Sequence, residues 1–353
     1  MSELSNDQFR IIDANVNRLS EGLRVLEEFA RMTLNDTVLT QKLKDMRHKT
    51  IKIDAELYKK LLSSRDAAGD IGSSMYVEGE TNSRDVKGII AANARRAQES
   101  LRVLEEMAKI PALNLDSEKY RKARFELYTI EKELIARVLR KDKLERLKGL
   151  YVIIDTEWLK ERKPADIAAR VIKGGANVIQ LRCKKCSYKE FLNIAKEIKE
   201  VCQGKAVMFI VNDSLEIALA VKADGLHVGQ EDMPAVEVKK LLPIDMILGC
   251  SVRTVDEAKK AFNDGADYLG VGAIFTTGTK ESARPVGMKR IEQIKKAVDL
   301  PIVAIGGINS ENLKEVMEAG ADAAAVIGAV MGVEDTEKAT RELVNIIRGR
   351  KGG

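Results

Sequence analysis

Two carboxylates that each follow an apolar run have the chemistry of a divalent-cation site. Asp213 ends the run "VMFIVND", and Asp232 ends "HVGQED" after the next apolar run along the chain. Mg²⁺ takes few protein oxygens and completes its shell with water and substrate phosphate. The two aspartates are therefore predicted to bind Mg²⁺ beside a phosphorylated substrate. For Asp213 the alternative is a turn or a helix cap, because Asp favours both.

Cations at comparable positions predict that this substrate carries several phosphate charges. Arg182 and Lys184 follow the run "NVIQL", and Lys280 ends "GAIFTTGTK". Arg offers phosphate a bidentate fork, and Lys offers a point charge. The predicted ligand is a polyphosphate held by these cations and Mg²⁺. Lys185 is interpreted as a solvated loop charge.

A second anion site is predicted at the Gly-rich turns late in the chain. The stretch "GGINSENL" leads from an apolar run into a helix, with Asn309 or Ser310 as its predicted cap. Backbone N–H groups and the helix dipole at such a turn bind a phosphate monoester. Further hydroxyl and amide donors are expected from Thr277, Gly278 and Thr279.

The elements that must position these residues are eight apolar runs separated by helical patterns. The runs are "LYVIID", "NVIQLR", "VMFIVND", "DGLHVG", "MILGCS", "DYLGVG", "PIVAIGG" and "DAAAVIG". Such strands indicate a parallel sheet covered on both faces, and eight βα units in ~200 residues indicate a closed (β/α)8 TIM barrel. An open doubly wound sheet is the alternative. In a barrel, the residues that follow the strands converge on one rim.

The first part of the chain has helical periodicity and an internal repeat. "IIDANVNRLSEGLRVLEEFARM" returns as "IIAANARRAQESLRVLEEMAKI", with "LRVLEE" repeated verbatim. The predicted fold class is therefore α/β: an all-α domain with an internal duplication at residues 1–148, then the barrel at residues 149–353. The polar loop between the copies, "SSRDAAGDIGSSMYVEGETNSR", is predicted to be functional or mobile.

Composition indicates a folded protein and leaves open a basic pocket for an anionic small molecule; small-molecule substrates are the expected partners. The 353 residues are 45% hydrophobic and carry a net charge of +5, with only 4% aromatic residues, so nucleic-acid binding is not indicated. "MSELSNDQFR" lacks a signal-peptide apolar region, and no run reaches the ~20 apolar residues of a membrane helix. A cytoplasmic location without membrane partners is expected; homo-oligomerisation is left open.

Two further features have competing interpretations. Cys183 and Cys186 form a C-x-x-C, for which metal or redox use is the alternative to ordinary loop cysteines. His227 lies inside a predicted strand and is interpreted as a packed residue rather than a base. Without a general base, the residues suit a reaction in which pyrophosphate leaves carbon and a second phosphorylated molecule captures the cation.

The barrel resembles the thiamine phosphate synthase family. The resemblance rests on "VIQLRCKK", "FIVNDS", "DGLHVGQED", "ILGCS", "GADYLGVGAIFTTGTK" and "VAIGGI", in that order. It implies that hydroxymethylpyrimidine pyrophosphate is joined to hydroxyethylthiazole phosphate, with Mg²⁺ as cofactor. Related alternatives are a thiazole tautomerase with a rim histidine, and a non-catalytic phosphate sensor.

The resemblance also implies roles for individual residues. Asp213 and Asp232 would bind Mg²⁺, and the catalytic residues would be Arg182, Lys184, Ser251 and Lys280. The pyrimidine pyrophosphate would be held by Gln180, Arg182, Lys184, Asn212, Ser251 and Lys280. The thiazole phosphate would be held by Thr277, Thr279, Gly307, Ile327 and Gly328. Leu181, Cys183 and Gly278 are counted with these substrate-binding residues. The family usually has an acid where Cys183 stands and Ser where Gly328 stands.

The helical domain resembles the ThiD2 family, on the stretches "NVNRLSEGLRVLEE" and "SRDAAGDIGS". That resemblance implies phosphorylation of the pyrimidine monophosphate, and the alternative is a dimerisation or docking module. Arg65, Asp66 and Asp70 are its predicted phosphate and metal residues. The residues Arg18, Glu21, Arg24 and Glu28 have helical spacing, for which a solvated salt-bridged face is the alternative.

Overall fold

The computed structural model describes residues 5–66, 69, 85–276 and 285–349. The chain divides into two compact units, Met1–Leu139 and Arg140–Gly353. The division falls within a long helix, and the domain boundary at residues 148 and 149 stays a prediction. No helix in the described ranges is long and apolar enough to cross a membrane.

The first unit consists of helices, each begun by a polar cap. These are α1 (Asn6–Glu28), α2 (Thr37–Ile51), α3 (Ala55–Ser64), α4 (Val86–Met107) and α5 (Ser117–Arg146). Ser5 forms a capping box with Gln8, and the side chains of Asp36, Asp54 and Asp85 accept backbone N–H bonds at the next three helix starts. These caps satisfy N–H groups that have no partner within the helix.

The two copies of the repeat make matching contacts. Glu27 binds Arg24 and Arg47, and at the equivalent place Glu105 binds Arg102 and Arg124. The helices α1 and α4 pack closely where Gly22 lies: a Cβ there would meet Asn93 O at 2.9 Å. In the second copy α5 runs unbroken, where the first copy has the separate helices α2 and α3.

The second unit is a barrel of eight parallel strands in sequence order, and β1 pairs with β8 to close it. The predicted barrel is confirmed, and the open-sheet alternative is wrong. The strands are β1 (Gly149–Asp155), β2 (Val178–Arg182), β3 (Met208–Asn212), β4 (Gly225–Val228), β5 (Ile247–Val252), β6 (Tyr268–Gly272), β7 (Ile302–Ile305) and β8 (Ala323–Val326).

Helices cover the outside of the strands. They are α6 (Pro164–Gly174), α7 (Tyr188–Cys202), α8 (Leu215–Ala220), α9 (Ala235–Leu241), α10 (Val255–Asn263), α11 (Lys289–Ala297), α12 (Leu313–Glu318), α13 (Gly328–Met331) and α14 (Thr336–Gly349). One apolar core lies between the strands and these helices, and it includes Leu181 and Val211. A second core, the interior core, includes Tyr151, Met208 and Ile247.

Alternation along the strands decides which side chains face the interior. On β2, Val178 belongs to the interior core and Leu181 to the outer one, so Gln180 and Arg182 follow Val178 inward. On β3 the same period takes Met208 and Ile210 inward, and Asn212 after them. Polar residues at the last inward positions therefore lie at the carboxyl end of the barrel.

Candidate active site

A cavity of 670 Å³ occupies the carboxyl end of the barrel. Ten of the predicted site residues line it: Gln180, Arg182, Lys184, Asn212, Asp213, Asp232, Ser251, Gly307, Ile327 and Gly328. Residues separated by more than a hundred positions in the sequence are thus brought to one opening. Four further predicted residues, Thr277, Gly278, Thr279 and Lys280, lie outside the described residues.

Two predicted substrate-binding side chains do not line the cavity. Leu181 is fully buried in the core between strands and helices, because alternation turns it outward. Cys183 packs partly against the same core. The sulfur atoms of Cys183 and Cys186 lie in contact, with Cα atoms 5.9 Å apart, which is within the range of a disulfide.

Asp213 and Asp232 form a carboxyl pair at the cavity wall. Burial, followed by a hydrogen bond with Asp232, raises the pKa of Asp213 above its ordinary value. Burial alone would raise the pKa of Asp232. Hydrogen bonds with Asp213 and with the Gly229 N–H nevertheless hold that pKa below its ordinary value. Lys184 forms an ion pair with Asp213. The two carboxyls are therefore inequivalent, and Asp232 gives up its proton more readily than Asp213.

The backbone at Asp213 explains why an Asp occurs there. Its φ of 63° lies in the left-handed region, which Asn and Asp tolerate better than most residues. Its N–H donates to His227 O at 2.8 Å, so β4 holds the turn. The cap of α8 is Ser214, which accepts from Ile217 N, so the interpretation of Asp213 as that cap is wrong.

The carboxyl pair has a donor set that fits Mg²⁺. Both donors are oxygen, and both residues line a cavity wide enough for water and phosphate oxygens. Within the described ranges, no group of three or more His, Cys, Asp or Glu residues has metal-binding geometry. A cation at Asp213 and Asp232 would therefore take its other ligands from substrate and water.

Asp155 is a site residue that the sequence reasoning missed. It ends β1, is fully buried, and binds the guanidinium of Arg182 from the end of β2. Its other oxygen accepts from Glu157 N at 3.1 Å, which caps a short helical turn. An acid at the end of the run "LYVIID", like the one that ends "VMFIVND", was the available signal.

Close packing requires glycine at two positions in the turn after β7. Gly306 and Gly307 have φ values of 102° and 68°, and a Cβ on Gly307 would lie 2.6 Å from Thr276 O. Such positions admit only glycine without strain. The predicted helix cap is wrong: α12 begins at Leu313 with Asn312 before it, while Asn309 accepts from Glu311 N within the turn.

Gly328 faces the ring of Trp158 across the cavity. A Cβ on Gly328 would lie 3.3 Å from the ring carbon Cη2 of Trp158, and both residues line the cavity. The ring therefore occupies the space into which a serine side chain at residue 328 would extend. Trp158 is the single tryptophan of the chain, and its sequence position gave no signal of this role.

A second missed feature is a set of polar side chains inside the barrel. His227 Nδ1 lies 3.0 Å from Tyr268 Oη, and its Nε2 lies 2.9 Å from Ser251 Oγ. Burial lowers the pKa of His227 to about 4 and raises the pKa of Tyr151 above its ordinary value. His227 is thus a neutral, doubly hydrogen-bonded residue that also lines the cavity.

Other predicted charges have structural partners. Lys185 is 82% exposed and pairs with Glu157 at 2.8 Å, as expected for a loop charge. In the helical unit, Arg65 forms two 2.8 Å hydrogen bonds with the buried Asp13, and Asp66 pairs with Arg10 at 3.8 Å. Asp70 lies outside the described residues.

The charged face of α1 is largely solvated. Arg18, Glu21 and Arg24 are exposed. Arg24 and Glu28 form an i,i+4 ion pair at 2.8 Å, and Glu28 also binds Arg31. These contacts are those of a salt-bridged helix surface.

Fold and site together define a (β/α)8-barrel protein with a cavity lined by charged and polar residues at the carboxyl end of its strands. Residues 150–330 match the family described as "Thiamine monophosphate synthase", and residues 10–133 match the "ThiD2 family". The chain belongs to the thiamine monophosphate synthase family, with a ThiD2 domain ahead of the barrel.

Individual relatives agree with this membership. A thiamine-phosphate synthase of Synechocystis sp. is 35% identical over 339 residues, covering 95% of both chains. One of Thermosynechococcus vestitus is 35% identical over 335 residues, covering 95% of this chain and 93% of its own. The solved thiamine phosphate pyrophosphorylase from Pyrococcus furiosus is 40% identical, with a TM-score of 0.55, and covers 60% of this chain and 100% of its own.

Proposed function

We propose that the barrel is a thiamine phosphate synthase, a transferase that joins hydroxymethylpyrimidine pyrophosphate to hydroxyethylthiazole phosphate and releases pyrophosphate. The observation that carries this proposal is the carboxyl pair of Asp213 and Asp232, which lines one cavity with Arg182 and Lys184. The proposal includes Mg²⁺ as cofactor, a cytoplasmic location and small-molecule substrates as partners.

The pyrophosphate end of the first substrate is assigned to the rim formed by β2, β3 and β4. Asp213 and Asp232 would hold Mg²⁺, which when bound supplies positive charge to the departing pyrophosphate oxygens. Arg182 adds a cation that needs no reorganisation, since Asp155 already holds it, and Lys184 adds a second cation beside Asp213. The carbon–oxygen bond breaks, and its electron pair leaves with the pyrophosphate.

The pyrimidine ring is assigned to Gln180, Asn212 and Ser251, whose amide and hydroxyl groups reach the same cavity. Apolar lining residues, among them Ile153, Val303 and Ile305, exclude water from the carbon that loses pyrophosphate. The thiazole nitrogen then forms the new bond to that carbon, so no general base is needed for bond formation.

The thiazole phosphate is assigned to the opposite wall, at Gly307, Ile327 and Gly328. The glycine turn brings backbone groups close to the cavity without side chains in between. By family resemblance, Thr277 and Thr279 complete this phosphate site, and Lys280 joins the groups that hold the pyrimidine pyrophosphate.

The tautomerase alternative would need a histidine that exchanges protons with the substrate. His227 is the histidine of the cavity wall, but both of its ring nitrogens have protein partners. The retained carboxyl pair also favours the synthase. The phosphate-sensor alternative differs in one measurable respect, since a sensor binds phosphates but forms no product.

For the helical unit, phosphorylation of the pyrimidine monophosphate stays a prediction beside the docking alternative. The full chain carrying Asp232→Asn should be incubated with ATP and the pyrimidine monophosphate, so that the barrel does not consume the product. Formation of pyrimidine pyrophosphate would support the kinase. No product with Mg²⁺ or Mn²⁺ would favour the docking module.

The synthase itself is tested with the purified full chain, both phosphorylated halves and Mg²⁺. Thiamine phosphate detected by mass spectrometry is the expected result. Binding of both halves, seen in the fluorescence of Trp158, without product would favour the sensor instead.

A further inference from the structure

Six polar side chains form an unbroken hydrogen-bonded chain beneath the cavity. They come from six different strands, and each link is between 2.5 and 3.2 Å. We call this set the barrel network; in order it comprises Ser251, His227, Tyr268, Tyr151, Gln180 and Asn212. Its two ends, Ser251 and Asn212, are residues assigned above to the pyrimidine ring.

Counting the available protons shows which group donates in each central hydrogen bond of the barrel network. The hydroxyl of Tyr151 donates its one proton to Gln180 Oε1 at 2.9 Å. The 3.2 Å contact between Tyr151 and Tyr268 must then use the proton of Tyr268. Tyr268 has only lone pairs left for His227, so Nδ1 of His227 carries the proton in that 3.0 Å bond.

The direction continues to Ser251. A neutral imidazole has one donor nitrogen and one acceptor nitrogen, and the two ring nitrogens of His227 face one hydroxyl group each, which such an imidazole satisfies. With Nδ1 as donor, Nε2 accepts the proton of the Ser251 hydroxyl at 2.9 Å. Ser251 is therefore left with lone pairs to present to the cavity.

The Asn212 end of the network offers hydrogen-bond donors, whereas the Ser251 end offers acceptors. Gln180 Nε2 donates to Asn212 Oδ1 at 2.5 Å. One lone pair of the Asn212 carbonyl is thus used, and its Nδ2 protons are the donors that it offers to a ligand. When each tyrosine hydroxyl donates within the network, only two directions are self-consistent, and turning over the Gln180 amide reverses every link.

We propose that the barrel network sets the polarity of the pyrimidine site, with Ser251 as acceptor and Asn212 as donor, and that His227 and Tyr268 are positioning residues. The proposal rests on the synthase function proposed above and deepens it. An aminopyrimidine carries an exocyclic amine that donates and ring nitrogens that accept, so it matches this arrangement. In the reversed network, donors would face the amine and acceptors would face the ring nitrogens.

The network orients groups rather than carrying protons. A proton passed from Ser251 through His227 and the tyrosines would have to end on the amide carbonyl of Gln180, which is a very weak base. The barrel also makes room for the network, because a Cβ on Gly249 would lie 2.1 Å from the Tyr268 ring and one on Gly270 would lie 2.8 Å from His227.

The direct test is the tautomer of His227 in the full chain. The chain has two histidines, and His48→Gln leaves only the imidazole of His227. A long-range ¹H–¹⁵N spectrum at neutral pH should show a protonated Nδ1 and an unprotonated Nε2. A protonated Nε2 would overturn the proposal, because the whole network would then run the other way. This measurement needs neither substrate nor turnover.

Kinetics test the consequence for recognition. Tyr268→Phe removes the acceptor of the Nδ1 proton and frees His227 to change tautomer, so KM for the pyrimidine pyrophosphate should rise about tenfold. KM for the thiazole phosphate should stay the same. The matched control is Tyr120→Phe, a buried tyrosine whose hydroxyl has no hydrogen-bond partner among the described residues.

The outcomes separate the two proposals. An unchanged pyrimidine KM in Tyr268→Phe, with wild-type-like unfolding, would overturn the positioning role. Absence of any synthase activity in the wild-type chain would overturn the function and the assigned ligand, whatever tautomer the spectrum shows.

Discussion

Asp155, at the end of β1, holds the guanidinium of Arg182 at the end of β2, and the two residues are paired in the strand register. Asp155 is fully buried, whereas the side chain of Arg182 is 22% exposed and lines the cavity. Asp155 therefore fixes the orientation in which the guanidinium of Arg182 can bind a phosphate.

Asp155→Asn should weaken binding of the pyrimidine pyrophosphate without unfolding the barrel. Loss of a charge-assisted hydrogen bond costs about 1.5–3 kcal/mol, so we expect a rise in KM of about tenfold or more. Steady-state kinetics with each substrate varied in turn would measure it. Glu157→Gln is the control, since that acid forms an ion pair with the exposed Lys185. A loss confined to the thiazole phosphate would contradict the assignment.

The turn after β7 offers a matched pair of glycine substitutions. Gly307→Ala and Gly204→Ala both place alanine at a φ near 70°, which costs about 1–2 kcal/mol. Only at Gly307 would the new Cβ also collide, with Thr276 O at 2.6 Å and Phe275 Cβ at 2.8 Å, while the space at Gly204 is open. We expect Gly307→Ala to be the less stable variant and to have the higher KM for the thiazole phosphate. Equal thermal shifts and equal KM values would argue against a packed phosphate turn.

The duplication in the helical unit predicts two equivalent stability losses. Glu27→Ala and Glu105→Ala each leave arginines without their buried partner, which should cost about 3 kcal/mol. Glu118→Ala removes a half-exposed pair with Arg121, which solvent screens, and should cost much less. Denaturation followed by circular dichroism gives the loss, and Trp158 fluorescence reports the barrel separately. A large difference between the first two variants would contradict the matching of the copies.

His227 should make the barrel sensitive to acid. Its pKa is about 4 in the folded protein and 6.5 for an unperturbed histidine, so between these pH values the unfolded chain binds a proton that the folded one does not. Stability is fully present above pH 6.5 and falls as the pH drops towards 4. We expect a loss of about 2 kcal/mol, less than the full shift implies, because the ring borders the cavity. His227→Gln should make the unfolding midpoint less dependent on pH over this range. An equally steep pH dependence would mean that another titrating group causes the loss of stability.

The sequence predicted the parts of the site that depend on local pattern. Asp213 and Asp232 could be placed on one rim because each ends an apolar run, and closure of the barrel brings the ends of parallel strands together. The helix cap near Asn309 was misplaced, because the turn continues for three residues before α12 begins at Leu313.

The parts that were missed depend on pairing across the barrel. Tyr151 and Tyr268 lie on β1 and β6, and nothing in their own neighbourhoods indicates that their hydroxyls meet. His227 was interpreted as a packed residue; its ring is partly buried, and its two hydrogen-bond partners come from other strands. Only the closed barrel, with Gly249 leaving room beside Tyr268, brings these groups within hydrogen-bond distance.

Substitutions in the carboxyl pair should have the largest effect on turnover. Asp232→Asn removes one of the two oxygen ligands proposed for Mg²⁺ and should lower turnover by about 100-fold or more, with an unchanged fold. Glu231→Gln, which alters the adjacent exposed acid, should change turnover little. Raising the Mg²⁺ concentration should restore part of the lost rate only in Asp232→Asn.

The central measurement is pyrophosphate release by the full chain in reactions that omit one component at a time. We predict one equivalent of pyrophosphate per thiamine phosphate, only when both phosphorylated halves and Mg²⁺ are present, and almost none from Asp232→Asn. Release at the wild-type rate from Asp232→Asn, or release that needs no metal, would contradict the assignment of this cavity.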